Sequence, residues 1–431
     1  MPRSRSRREH PQQDQADTFQ QLLAARLTPT ETSASRAVES LAHLDYEREL
    51  VLKNESICAL WQHHGLAGRP DPVLPSLRPR RYRTTTRRRA HYRSGRLQLG
   101  FGESSSSSSA LPESLLEPEA HTAIYRWLVE ELSAPNYRAV ATHLNHAIIR
   151  GSYEAFSVIL NLDVLNGSIV RRSKSLGNRL QSLPQPILST FLFCDPSRSD
   201  FYFEHQAPPV PVRLKRLFGP ARFPLRLGDR RYKLPPTSFT QVNESMIGPM
   251  LAAVRTLLQP EPGDRLLDLY CGYGLFAHDL GDTCAEVFGI DVDRDAIETA
   301  IDHVHHNRSK GRVSFTRRDI SARSLAEYLP APGKRELVVL DPPRRGTDQG
   351  VVDCLASRGP LRVVHIFCGV SAIPDAVSSW KQCGYGVTRC LPLDMFAGTP
   401  NLETLLLLPP APSVSSNNLH LLLLRGSLVS L

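Results

Sequence analysis

Apolar positions change their rhythm along this chain. After Pro260 they gather into short runs, Arg265–Tyr270, Glu286–Ile290, Arg312–Thr316, Glu336–Leu340, Leu361–Phe367, Tyr385–Leu391 and Leu402–Leu408. Such runs fit strands buried on both faces. Helical patterns separate most of them, for instance Arg294–Asn307 and Ser371–Lys381. Strands alternating with helices predict an α/β domain, a parallel sheet covered on both faces. Only a loop joins the last two runs, which predicts a hairpin-like finish. Upstream the pattern is mixed. A helix is expected within Ser33–Leu66, carrying Leu41, Leu44, Leu50 and Leu52. From His121 to Lys233 strand-like and helical runs alternate with Pro-rich breaks such as Gln206–Val212, as in an α+β region. The expected organisation is a basic, disordered tail over 1–32, an N-terminal region over 33–235, a regular domain over 236–410 and a tail over 411–431. The six serines Ser104–Ser109 mark a flexible loop near 103–119.

Composition narrows the classes. With 431 residues, 41% hydrophobic and 22% charged, the chain can bury a sizeable core, which excludes a disulfide miniprotein or a wholly disordered polymer. Eight cysteines are scattered without a C-x-x-C pair, so neither a zinc ribbon nor a cysteine-bound cluster is expected. No metal site is expected either: His303, His305 and His306 read as solvated positions of one helix. Reduced thiols, no apolar run of membrane length and no secretory leader point to the cytoplasm, away from membranes. An organelle transit peptide is the alternative that Glu9, Asp14 and Asp17 count against; a monomer is expected. The net charge of +9 suits a polyanionic partner. Arg78–Arg96 sharpens this, since it holds nine arginines, no acid, and the aromatics Tyr82 and Tyr92. That pattern favours phosphate contact.

Chemistry concentrates at the ends of the predicted strands. Asp268-Leu-Tyr270-Cys-Gly272-Tyr-Gly274 follows the first, and its two glycines permit a sharp turn close to a ligand. Ala277 stands where a third glycine would complete the dinucleotide fingerprint. Asp291 ends the second strand, 23 residues after Asp268, where a carboxylate can accept both hydroxyls of a ribose. It also suits a helix N-cap, a role that Asp293 can fill. Asp341-Pro-Pro-Arg344-Arg345-Gly346 makes a rigid loop after the fourth run, Cys368 follows the fifth, and Glu403 flanks the last.

Together these residues resemble the RNA uracil-5-methyltransferases that use S-adenosyl-L-methionine, the transfer-RNA and ribosomal-RNA 5-methyluridine enzymes. The resemblance rests on Phe239-Thr-Gln241-Val-Asn243, the Asp268–Gly274 motif, Asp341-Pro-Pro-Arg344, Cys368, and Asp394-Met-Phe396…Thr399…Glu403, with Tyr82-Arg83-Thr84 upstream. It implies a Rossmann-like class I methyltransferase sheet behind an N-terminal RNA-recognition region. It also implies S-adenosyl-L-methionine held by Gln241, Tyr270, Gly272, Gly274, Asp291 and Asp341, with Cys368 as nucleophile, Glu403 as base, and tRNA or rRNA as partner. Two positions depart from the family. Cys368-Gly369-Val370 replaces Cys-Asn-Pro, and Thr399-Pro-Asn401-Leu-Glu403 lacks the histidine of Thr-x-His-x-Glu. The competing expectation is a non-catalytic RNA-binding protein that keeps the fold.

Overall fold

The computed structural model describes residues 18–33, 39–101, 111–198, 213–307, 312–333 and 335–412. Most of the serine-rich segment and residues 413–431 of the expected tail lie outside these. The chain divides into two compact units. One comprises Met1–Ala252, Phe367–Ala372 and Cys390–Thr404, the other Ala253–Ile366, Ile373–Arg389 and Leu405–Leu431.

The first unit opens with helices α1 (Phe19–Ala24), α2 (Pro29–Ser33) and α3 (Tyr46–His63). Residues 19–24 and 29–32, expected to lie in the tail, are therefore helical. Thr18 and Gln21 form a reciprocal capping box, and burial of Phe19 and Leu23 fixes α1. The Asp45 carboxylate caps α3, which buries Leu52, Ile57, Leu60 and Trp61.

A six-stranded sheet follows, from β1 (Thr85–Arg93), β2 (Arg96–Gly100), β3 (Leu144–Gly151), β4 (Phe156–Leu162), β5 (Ile187–Cys194) and β6 (Arg213–Phe218). Its order is β2-β1-β3-β4-β5-β6. Every pairing is antiparallel except β4 with β5, which the helix α6 (Gly167–Leu180) connects. Helices α4 (Glu119–Ser133), α5 (Arg138–His143) and α6 cover one face through Ile124, Leu128, Val140, Ile169 and Leu176. Ile148, Ile159, Phe191 and Phe193 form a second, smaller cluster. A two-stranded hairpin, β7 (Phe223–Leu227) with β8 (Arg230–Leu234), leads to helix α7 (Ile247–Leu258).

The second sheet takes its strands from β9 (Arg265–Leu269), β10 (Glu286–Asp291), β11 (Arg312–Arg317), β12 (Glu336–Leu340), β13 (Arg362–Phe367), β14 (Arg389–Leu393) and β15 (Glu403–Leu408). Helices α8 (Leu275–Leu280), α9 (Arg294–Asn307), α10 (Ala322–Tyr328), α11 (Val351–Ala356) and α12 (Ile373–Gln382) connect them. The order is β11-β10-β9-β12-β13-β15-β14. Pairings from β11 across to β13 are parallel. At the far edge Gly386 donates to the Pro409 carbonyl and Thr388 to that of Leu407, so the final pair is antiparallel. This is the expected Rossmann-like α/β sheet. Its strand order reverses between β9 and β12, the place where such sheets open a crevice at their carboxyl ends.

Among the described residues, no helix is long and apolar enough to cross a membrane.

Candidate functional site

Three acids sit at the carboxyl ends of adjacent strands in the second unit. Asp268 lies within β9, Asp291 ends β10 and Asp341 follows β12. Between β9 and α8 the chain turns through three left-handed residues, Tyr270 (φ 62°), Gly272 (φ 53°) and Gly274 (φ 81°). At Gly274 a Cβ would come within 2.7 Å of Phe315 and 2.9 Å of His278, so only glycine fits. A tyrosine with positive φ stores strain, the kind that collects where a ligand is clamped.

Hydrogen bonds tie the three ends together. The Asp291 carboxylate accepts from Gly272 N–H and Asp293 N–H, each at 2.8 Å. Asp293 in turn accepts from the N–H groups of Asp295 and Ala296, which makes it the N-cap of α9. Asp291 is thus spared capping and braces the glycine turn instead. Asp268 is fully buried; its Oδ2 accepts from Ala277 N–H at 2.8 Å, while Oδ1 has no hydrogen-bond partner among the described residues.

Burial and crowding raise the proton affinity of Asp268 and Asp341. Burial pushes Asp268 up to about 8, with repulsion from Asp341 and Asp291 adding to it. Burial and the Asp291 charge push half-buried Asp341 up to about 7. A ligand bearing positive charge would relieve this repulsion. The cradle therefore fits a nucleoside with a cationic arm. Half-buried Tyr270 flanks it, its hydroxyl pushed up to about 12 by burial and by Asp348. After Asp341 the loop closes through a Gly346 N–H bond to the Pro343 carbonyl, leaving Arg344 exposed and Arg345 paired with Asp348.

Two further candidates belong to the first unit. Half-buried Cys368 directly follows β13, ahead of a short 3-10 turn over Val370–Ala372. Buried Glu403 opens β15, the neighbour of β13 in the sheet. Since the tip of β13 and the start of β15 both fall in the first unit, thiol and carboxylate stand at ends of adjacent strands. Asn401 donates to Thr399 Oγ1 at 3.1 Å, and Thr399 donates to the Phe396 carbonyl at 2.7 Å, so the loop before Glu403 is held from within.

Other thiols are less suited to attack. Cys271 also follows a strand end, which the sequence reading overlooked, but burial lifts its proton affinity far above the ordinary thiol value. Burial likewise raises Cys284, to about 11, and Cys390. Gln241, the remaining cofactor candidate, is buried in the first unit. It lies between Thr240, which accepts from Arg150, and Asn243, which donates to Ser76 Oγ and the Met395 carbonyl.

An ionic cage supports the segment that leads to Glu403. Lys53 Nζ lies 2.7 Å from Glu49 and 2.6 Å from Asp394, with all three side chains fully buried. Arg80 adds a second cation against Glu49 at 3.0 Å, and Tyr46 donates its hydroxyl to Asp394 at 2.9 Å. The Gly398 N–H closes the set onto Glu49 at 2.6 Å. The sequence offered one clue to it, a glutamate and a lysine four residues apart among the apolar positions of α3.

The arginine run is only partly a surface. Arg88 is buried against Glu117 at 2.7 Å with its guanidinium over Phe101, and Tyr82 is buried as well. Arg78, Arg81, Arg93 and Arg96 remain exposed. His303, expected to be solvated, is instead buried, with its ring 6.1 Å from that of His278. No group of three metal-binding side chains occurs among the described residues.

Comparison with known proteins agrees with the motifs. The family description "tRNA (Uracil-5-)-methyltransferase" matches residues 221–410. An uncharacterized RNA methyltransferase of Geobacter sulfurreducens is 36% identical over 186 residues, 42% of this chain and 36% of that relative's length. One from Enterococcus faecalis is 24% identical over 383 residues, 87% of this chain and 81% of its own. The chain thus spans well under half of the Geobacter protein and most of the Enterococcus one. In fold it is similar to the crystal structure of Pyrococcus abyssi tRNA (uracil-54, C5)-methyltransferase in complex with S-adenosyl-L-homocysteine. The TM-score is 0.64 at 21% identity, over 87% of this chain and 86% of that one. In motif order, in residues 221–410 and in fold, the chain resembles the tRNA (uracil-5-)-methyltransferase family.

Proposed function

We propose that this protein transfers a methyl group from S-adenosyl-L-methionine to carbon 5 of a uridine in tRNA or rRNA. One observation carries the reading: a half-buried cysteine and a buried glutamate end adjacent strands of a methyltransferase-like sheet. Uracil carbon 5 is a poor nucleophile, so the reaction needs a thiolate and a base with separate tasks. Cys368 adds through sulfur to carbon 6, and the 5,6 double-bond electrons move toward the carbonyl at carbon 4 as an enolate. The cofactor, when bound, supplies an electrophilic methyl on its sulfonium. Carbon 5 takes that methyl, Glu403 removes the proton from carbon 5, and the electron pair left behind expels the Cys368 thiolate. Uridine becomes 5-methyluridine, and the enzyme carries one proton to return to solvent.

In this reading Asp291 and Asp341 receive the nucleoside and Asp268 holds the turn around it. The charge of the sulfonium and amine explains why three carboxylates are gathered at one crevice. Gln241 belongs with the cofactor residues, and the exposed arginines of Arg78–Arg96 contact RNA phosphates. The test is nucleoside mass spectrometry of tRNA and rRNA from cells with and without the gene. Loss of one 5-methyluridine, restored by the wild-type chain and not by Cys368→Ala, supports the proposal. Unchanged 5-methyluridine at every position refutes it.

A further inference from the structure

The β7–β8 hairpin carries a charge pattern that its own stability does not explain. Its inner face is apolar: Phe223, Leu225, Tyr232 and Leu234 are all buried. Its outer face presents Arg226, Arg231 and Lys233, all exposed. Arg226 stands directly across from Arg231, and Pro224 across from Lys233. Like charges directly opposed on one face of a strand pair destabilise it. Neither Arg226 nor Arg231 has an ion pair or hydrogen bond among the described residues. Residues 213–234 hold eight basic side chains and a single acid, Asp229, which sits in the two-residue turn. A surface that sets Arg226 against Arg231 at the expense of hairpin stability fits an external polyanion.

Its anchorage says which polyanion. Beneath the hairpin, Arg150 lies with its guanidinium carbon 5.7 Å from the centre of the Phe223 ring. The same arginine donates to the Pro236 carbonyl and to Thr240 Oγ1, both at 3.1 Å. Gln241 is the next residue. The basic face is therefore fixed to the segment that carries the cofactor candidate Gln241. A lipid surface would gain nothing from that coupling, whereas an RNA strand entering the site must run its phosphates past neighbouring protein.

We infer that the outer face of the β7–β8 hairpin, through Arg226, Arg231 and Lys233, is a docking surface for RNA phosphates. This rests on the RNA-methyltransferase reading and assigns that reading a second contact outside Arg78–Arg96.

The experiment measures binding of a fluorescein-labelled tRNA transcript by the full chain across a salt series. The variants are Arg226→Gln/Arg231→Gln/Lys233→Gln and, to keep the charge, Arg226→Lys/Arg231→Lys. Each lost phosphate contact removes about 0.7–0.9 from the slope of log affinity against log salt. The triple variant should therefore lose about 2–3 of slope and roughly 50- to 150-fold of affinity at 0.15 M salt. The lysine variant should keep the wild-type slope. Single replacements, which leave the fold least disturbed, should each shallow it by about 1. An unchanged slope in all glutamine variants overturns the inference while leaving the enzyme reading intact. So does wild-type binding to phosphatidylserine vesicles that the triple variant loses while tRNA binding is unaltered. Wild-type protein that binds neither the tRNA transcript nor a labelled rRNA fragment removes the RNA reading together with this surface.

Discussion

Replacing Lys53 with methionine tests whether the buried cage holds the segment that carries Glu403. The cation makes two contacts, 2.7 Å to Glu49 and 2.6 Å to Asp394, with no solvent at any of the three side chains. Methionine fills similar volume but leaves two carboxylates facing each other, with Arg80 compensating only Glu49. Removing one partner of such a buried set costs about 3–5 kcal/mol, because an uncompensated charge stays behind. Asp394, already pushed above the ordinary carboxylate value by burial, would respond by taking up a proton. Since the chain has two units, a single melting temperature would blur the effect. Peptide-resolved hydrogen exchange separates them. Amides of residues 46–63 and 394–403 should exchange about 140- to 3,700-fold faster, the same free energy at about 1.4 kcal/mol per tenfold. Adding Asp394→Asn removes the orphaned charge and should recover about 2–3 kcal/mol of coupling. Acceleration below tenfold, or a double variant no better than the single one, would refute the role given to this cage.

Four further outcomes follow from the geometry. Asp291→Ala should weaken S-adenosyl-L-methionine binding by about 1.5–3 kcal/mol in calorimetry, the scale of a hydrogen bond to a charged group; equal affinity would remove Asp291 from the site. Asp268 and Asp341 rise from 3.8 to about 8 and about 7, so between about pH 4 and 8 the folded chain binds protons that the unfolded chain has released. Their contribution to stability is thus lost as pH rises through that window. Asp268→Asn should flatten the fall, with pH, of the second unit's opening free energy read by peptide-resolved hydrogen exchange, and a slope identical to wild type would contradict the assignment. Arg88→Ala should destabilise the first unit by about 3–5 kcal/mol, since it strands the buried Glu117. Arg93→Gln/Arg96→Gln should leave stability alone and shallow the salt dependence of tRNA binding; the opposite pattern would reverse the roles given to these arginines.

The second sheet was readable from sequence because its strands are short, nearly unbroken apolar runs bounded by turn residues. β9 and β12 through β13 lie within a residue or so of where that pattern puts them. β14 starts at Arg389, four residues later than expected. The misleading residue is Tyr385, apolar and buried for a tertiary reason: its ring meets Trp380 and its hydroxyl bonds the Pro360 carbonyl. Pairings remote in sequence left no local trace. Nothing near Arg88 announces Glu117, and nothing near Lys53 announces Asp394, 341 positions away. His303 looked solvated because helical spacing says which residues share a face and not which face is covered. Cys271 and Cys368 look alike in sequence, each just past a strand, and only burial separates them.

The central claim is that Cys368 attacks uridine, and the most direct measurement is peptide mass mapping after reaction with S-adenosyl-L-methionine and RNA containing 5-fluorouridine. Fluorine cannot leave as a proton does, so elimination stalls once the methyl has been transferred, and the thiol remains bonded to carbon 6. The account predicts one adduct, at Cys368, carrying the methylated nucleotide and absent in Cys368→Ala. An adduct at Cys271 or another thiol, or 5-methyluridine formed at the wild-type rate by Cys368→Ala, would contradict it.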